Sequence, residues 1–71
     1  MAYQIQHALT IIRRKQVEAR TGLPRSSLYA LIQSGQFPTQ IYLSDKSVGW
    51  IASEVDNWIA QRIESSRKVA A

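Results

Sequence analysis

The chain has no cysteine, which excludes disulfide staples and thiolate metal sites. It has one histidine, His7, too few for a histidine-built zinc centre or a convincing catalytic triad. No apolar run approaches the roughly 20 residues that span a bilayer. The first ten residues, MAYQIQHALT, lack the basic start and continuous apolar stretch of a secretion signal. No glycine-rich phosphate loop is present. Acidic residues are few, five against nine Lys and Arg, for a formal net charge of +4. These absences leave a cytoplasmic domain with no metal, no cofactor, no small-molecule substrate and no membrane partner as the expectation.

What is present suits one small folded module. At 71 residues the chain holds a single domain that buries only about 60% of the surface its unfolded form exposes. Hydrophobic residues make up 45%, ordinary for a packed globule. With no staple to help, aliphatic stripes and two tryptophans must hold the fold. The excess of positive charge points to a polyanion, nucleic acid ahead of a membrane surface. Residues 1–8 and 67–71 read as loose ends, and residues 9–66 as the module.

Leu9-Thr10-Ile11-Ile12 is a short β-branched run, either a strand or an extended entry to the first helix. A short helix is expected over Arg14–Thr21, with Val17 as its inward anchor and Gly22 at the left-handed position that ends it. Neither Arg13 nor Arg14 is a favoured N-cap. A second helix is expected from about residue 24 to 34, with Pro24 at its first position. Leu28, Leu31 and Ile32 form its buried stripe, and Gly35 ends it. Residues 41–43 and 48–50 read as a hairpin with a four-residue tip, Ser44-Asp45-Lys46-Ser47. The last helix is expected to start at Ser53 as N-cap, with Asp56 completing an approximate capping box. Its apolar stripe is Val55, Trp58, Ile59 and Ile63. Trp50, Trp58, Phe37, Leu43, Val17, Leu28, Leu31 and Ile59 are the expected core.

Two short helices around a tight turn, a hairpin and a closing helix make a mainly α chain with a small β-hairpin, in the order of a winged helix-turn-helix. In that arrangement the second helix offers its N-terminal residues to the major groove, and the hairpin adds a contact to the DNA backbone. Arg25 is the candidate base reader, because a guanidinium pairs bidentately with guanine N7 and O6; a phosphate clamp or a solvated charge are its alternatives. Ser26 and Ser27 either donate to phosphate and base edges or cap locally. Tyr29 either donates its hydroxyl to phosphate or packs on the rim of the wing. Gln33 lies late in the helix and is assigned to solvent. Arg13, Arg14 and Lys15 cluster where positive charge opposes the helix dipole, which points to a phosphate partner or to a solvated run. Lys46 at the wing tip is a phosphate or minor-groove contact, or a polar turn residue. Glu54 and Asp56 do not face each other on a helix, so they make no acid–base pair, and the chain is not expected to be an enzyme.

The stretch Thr21-Gly22-Leu23-Pro24-Arg25-Ser26-Ser27-Leu28-Tyr29, followed by Gly35-Gln36-Phe37-Pro38, resembles the turn, second helix and exit of the AlpA-like prophage regulators. Leu43, Val48-Gly49-Trp50 and Glu54-Val55-Asp56-Asn57-Trp58-Ile59 resemble their wing and last helix. The resemblance covers roughly residues 9 to 63. It implies a winged helix-turn-helix related to the MerR and excisionase group, encoded by a phage or prophage. It also implies double-stranded DNA as partner and transcriptional control of integrase or excision genes. By this analogy Arg25, Ser26, Ser27 and Tyr29 fall in the recognition helix; members often carry Ser where this chain has Pro24. An excisionase-like architectural factor and a protein-interaction module of the anti-repressor kind are the alternatives. One recognition helix covers few base pairs, so specificity calls for a homodimer, cooperative binding on repeated sites or a partner protein.

Overall fold

The computed structural model describes residues 9–70; the expectations for residues 1–8, His7 among them, lie outside the described residues. In chain order it contains β1 (Ile11–Ile12), α1 (Arg14–Thr21), α2 (Arg25–Gln33), β2 (Ile41–Ser44), β3 (Ser47–Ile51) and α3 (Ala52–Ala70). The strands form one antiparallel sheet in the order β1-β3-β2. This is the expected mainly helical architecture with a hairpin, a winged-helix-like domain.

The first helix has the expected bounds, and its start is secured without a favoured N-cap. The Gln16 side chain reaches back from the third helical position, and its Oε1 accepts the Arg13 N–H at 2.8 Å, half of a capping box. At the other end Gly22 adopts φ 74° and donates its N–H to the Glu18 carbonyl at 2.8 Å. Thr21 stitches the turn: its hydroxyl donates to Val17 O (2.8 Å) and accepts from Leu23 N–H (3.2 Å). The second helix starts one residue later than expected. Pro24 is its N-cap, extended at ψ 165°, and only its carbonyl enters the helix, accepting Leu28 N–H at 3.0 Å. The N-cap position asks for no N–H, so the ring costs nothing there. Gly35, at φ 78°, ends the helix in a Schellman arrangement, Gln36 N–H to Leu31 O (2.8 Å) and Gly35 N–H to Ile32 O (3.1 Å).

The hairpin tip is two residues, Asp45 and Lys46, rather than four, because Ser44 and Ser47 pair. Ile41 pairs with Gly49 and Tyr42 with Val48, and the register then slips between Tyr42 and Ser44. Leu43 is therefore the extra residue of a bulge. The run before α1 is a strand, and it adds a third member to the sheet: Ile11 pairs with Ile51 and Ile12 with Trp50. Ser53 is not the N-cap of α3. Strand β3 continues to Ile51, the helix begins at Ala52, and the Ala52 N–H is taken by Thr10 O at 2.7 Å. Thr10, the residue before β1, thus satisfies an amide that a cap would otherwise serve. The Asp56 carboxylate, expected to serve the start of the helix, pairs with Arg20 at 2.8 Å. The helix runs to Ala70, past the point where its apolar periodicity lapses.

The core is Ile12, Val17, Leu28, Phe37, Trp50, Ala52 and Val55. Trp50 is fully buried, and its indole N–H donates to Pro38 O at 3.1 Å. Trp58, Leu31 and Ile59 pack around this centre half-buried. Trp58 meets Phe37 edge-on at 4.9 Å and donates its indole N–H to Gln36 O at 2.7 Å. Leu43, expected in the core, is 46% exposed, because strand alternation puts it on the face of Ile41 and Gly49, opposite the one that carries Trp50 and Ile12 into the core. Ile63 is 47% exposed and lines an open groove with Leu23, Leu31 and Ile59.

Candidate nucleic-acid interface

α2 divides cleanly into two faces. Leu28 is buried, with Leu31 and Ile32 packed against the core. Opposite them run Arg25, Ser26, Tyr29, Ala30 and Gln33, spaced i, i+1, i+4, i+5 and i+8. Arg25 and Ser26 are exposed, Ser27 and Tyr29 half-buried. No side chain caps α2 and its first turn holds no acid. The amides of that turn therefore keep the partial positive charge of a helix start, a setting that suits phosphate.

Arg25, Ser26 and Tyr29 share one open recess with Pro24. The Arg25 guanidinium lies 5.5 Å above the Tyr29 ring centre. Tyr29 in turn meets the buried Trp50 edge-on at 6.3 Å. A chain of contacts thus runs from the core to the outermost cation of α2. The Tyr29 ring packs against the wing strand β3, as one of its two expected roles has it. Gln33, assigned to solvent, is exposed on the same outward stripe. Ala30, not singled out from the sequence, is exposed at the edge of that stripe, where the helical period alone puts it. Ala30 is small enough to let a groove edge approach the helix backbone, and Gln33 carries a carboxamide of the kind that pairs with adenine.

The basic cluster does not behave as one unit. Arg13 turns its side chain to the wing, donating from Nε to Val48 O at 2.9 Å. Arg14 forms an ion pair with Glu18 one turn along α1, which offsets the conflict of its charge with the helix dipole. Lys15 is exposed and bonds to nothing among the described residues. Arg20 is held by Asp56. Lys46 is exposed at the wing tip; its amide donates to Ser44 Oγ at 3.4 Å and its ammonium has no partner among the described residues. The structure therefore gathers Arg25, Ser26 and Tyr29, half-buries Ser27 beside them, joins Arg13 to the wing and neutralises Arg14. Among the described residues no group of three or more His, Cys, Asp or Glu is placed to hold a metal ion. No described helix is long and apolar enough to cross a membrane.

Residues 10–63 match the family described as prophage CP4-57 regulatory protein (AlpA), a span running from β1 into the second half of α3. A protein of Enterobacteria phage P4, uncharacterized protein ORF88, is 42% identical over 57 residues. That alignment takes in 80% of this chain and 65% of the phage protein, so the chain spans a little under two thirds of that relative. The DNA-binding transcriptional activator AlpA of Escherichia coli K12 is 36% identical over 61 residues, covering 78% of this chain and 87% of that protein.

Proposed function

We propose, for a chain that belongs to the AlpA family of prophage regulatory proteins, that it binds duplex DNA in a sequence-specific way and regulates transcription of phage integrase or excision genes. α2 enters the major groove, and the β2–β3 wing lies along the adjacent backbone. Arg25 reads a base edge, Ser26, Ser27 and Tyr29 contact phosphate or base edges beside it, and Lys15 and Lys46 bind phosphate. The family is one of regulators, not an enzyme class. The observation that carries the reading is the outward stripe of α2: uncapped, free of acids, and led by an arginine braced through Tyr29 on the buried Trp50. The name of the E. coli relative, a transcriptional activator, favours transcriptional control over a purely architectural, excisionase-like role.

The test is the salt dependence of binding to operator duplex found by selection from random DNA. Arg14 and Arg20 are engaged by acids, which leaves Lys15, Arg25, Lys46 and the outer nitrogens of Arg13 as cations near the proposed interface. Three or four neutralised phosphates give a log–log slope of about −2.7 to −3.6. A flat response, or no gel shift at low salt, overturns the reading. The protein-interaction alternative has one observation in its favour, the open groove between Leu23, Leu31, Ile59 and Ile63. Docking of a protein partner there releases no counterions from a duplex, so a steep salt slope on DNA favours the first reading. Because one recognition helix covers few base pairs, two copies or a partner protein share the operator.

A further inference from the structure

Strand β1 is short, and where it stops leaves a specific problem on β3. Antiparallel pairing alternates, so every second residue of β3 turns its backbone groups toward β1. Ala52 N–H donates to Thr10 O at 2.7 Å, and Trp50 pairs with Ile12. The next residue of β3 facing that edge is Val48. A longer β1 would serve its carbonyl, but the chain leaves the sheet after Ile12 and enters α1 at Arg14. Arg13 stands at the junction with an extended backbone, φ −97° and ψ 169°. Its side chain supplies what the backbone no longer can: Nε donates to Val48 O at 2.9 Å.

From this we infer that Arg13 is a positioning residue for the wing. Its guanidinium continues the β1–β3 ladder in place of the strand and fixes the hairpin against the start of the helix-turn-helix. Among the described residues β2 pairs with β3 alone, and a two-stranded ribbon on its own is marginal in water. The Arg13 bond is the contact that reaches the hairpin directly from the N-terminal junction of α1. This inference rests on the DNA-binding reading for its consequence, since the angle of the wing decides whether Lys46 meets the backbone while α2 is seated. It does not rest on that reading for the structural claim itself.

The chemistry provides a matched pair of variants. Glutamine places its side-chain nitrogen the same number of bonds from Cα as the Nε of arginine. Arg13→Gln therefore keeps a donor for Val48 O and removes the charge. Arg13→Lys keeps the charge and moves the donor one bond further out. The first measurement is amide hydrogen exchange of the full chain without DNA. Exchange across the β2–β3 ladder accelerates about tenfold in Arg13→Ala, the worth of one hydrogen bond, less in Arg13→Lys, and stays near the parent in Arg13→Gln. Wing exchange unchanged in Arg13→Ala overturns the inference. The second is affinity for the selected duplex. Positioning ranks Arg13→Gln above Arg13→Lys, and in Arg13→Lys a further Lys46→Ala change has little effect. The opposite ranking, with Arg13→Lys near the parent and Arg13→Gln weak, makes Arg13 a plain phosphate contact and overturns the proposed role in binding. If the parent protein binds no duplex, the functional reading fails while the exchange result still decides the structural one.

Discussion

Gly49→Ala tests the packing of the wing most sharply. Gly49 is buried in the middle of β3, paired with Ile41. A Cβ built there falls 2.5 Å from Ile11 Cγ2, 3.1 Å from Ile12 O and 3.3 Å from Leu43 Cδ1. The first contact cannot stand. Ile11 is exposed enough to move, but its Cγ2 branches from Cβ, so relief requires a new χ1 rotamer. The Ile12 carbonyl belongs to the β1–β3 ladder and yields only with the backbone. Overpacking of this kind costs about 1–3 kcal/mol, and the stiffer unfolded chain returns about 0.4–1 kcal/mol. The net loss is about 1–2 kcal/mol. In a domain of this size each kcal/mol moves Tm by about 4–8 °C, so thermal melts followed by circular dichroism should fall by roughly 4–16 °C. In an Ile11→Ala background the same change should cost less, because the nearest atom is gone while the Ile12 carbonyl remains. An unchanged or raised Tm for Gly49→Ala refutes the close approach of Ile11 and Ile12 to β3.

Three further outcomes are expected. Arg25→Ala loses about 1–3 kcal/mol of binding and relaxes preference at one base position in a selection experiment; an equal loss on every sequence makes Arg25 a phosphate clamp. Tyr29→Phe leaves thermal stability within about 0.5 kcal/mol, since the ring contacts to Trp50 and Arg25 survive, whereas Tyr29→Leu loses about 0.5–1.5 kcal/mol; equal melts for the two variants contradict the ring stacking. Trp50→Ala costs about 3–5 kcal/mol, and Trp58→Ala, at a half-buried site, costs clearly less in parallel denaturant titrations; the reverse order contradicts the assigned core.

Much of the fold was legible because its signals are local. The bounds of α1 follow from good helix formers running up to Gly22, and the end of α2 from Gly35; a left-handed glycine stops a helix whatever surrounds it. The buried stripe of Leu28, Leu31 and Ile32 likewise follows from period alone. The misreadings arise where a distant partner decides. Ser53 looks like an N-cap until Thr10, far away in sequence, takes the amide of Ala52. Leu43 looks like core until the pairing with β3 fixes which face of the sheet it shares, that of Gly49 and not that of Trp50. The third strand is two residues long, and no alternation over so short a stretch declares which strand it will pair with. The candidate site shows the same division. Arg25, Ser26 and Tyr29 share a face by helical spacing. Which arginines are free was not legible, because Arg13 is claimed by Val48 and Arg20 by Asp56, each more than thirty positions along the chain.

Those claims give the scarcity of acids its meaning. Of the five acidic residues, Glu18 and Asp56 engage Arg14 and Arg20, the cations of α1 that flank Lys15. Asp45, Glu54 and Glu64 make no ion pair among the described residues. Among the described residues no acid pairs with α2, which carries Arg25 as its sole charge. A chain of 71 residues without a disulfide has few residues to spare for a separate binding face laid over an independent core, and one set of contacts serves both the core and the proposed face. Trp50 closes the core, accepts the edge of Tyr29 and through it braces Arg25. Val48 carries the wing and anchors Arg13. Stability and the proposed recognition surface therefore meet at Trp50 of β3. A substitution at Trp50 that leaves the chain folded should still disturb Tyr29 and Arg25 of that surface, whereas a side-chain change at Val48 keeps the backbone carbonyl that holds Arg13.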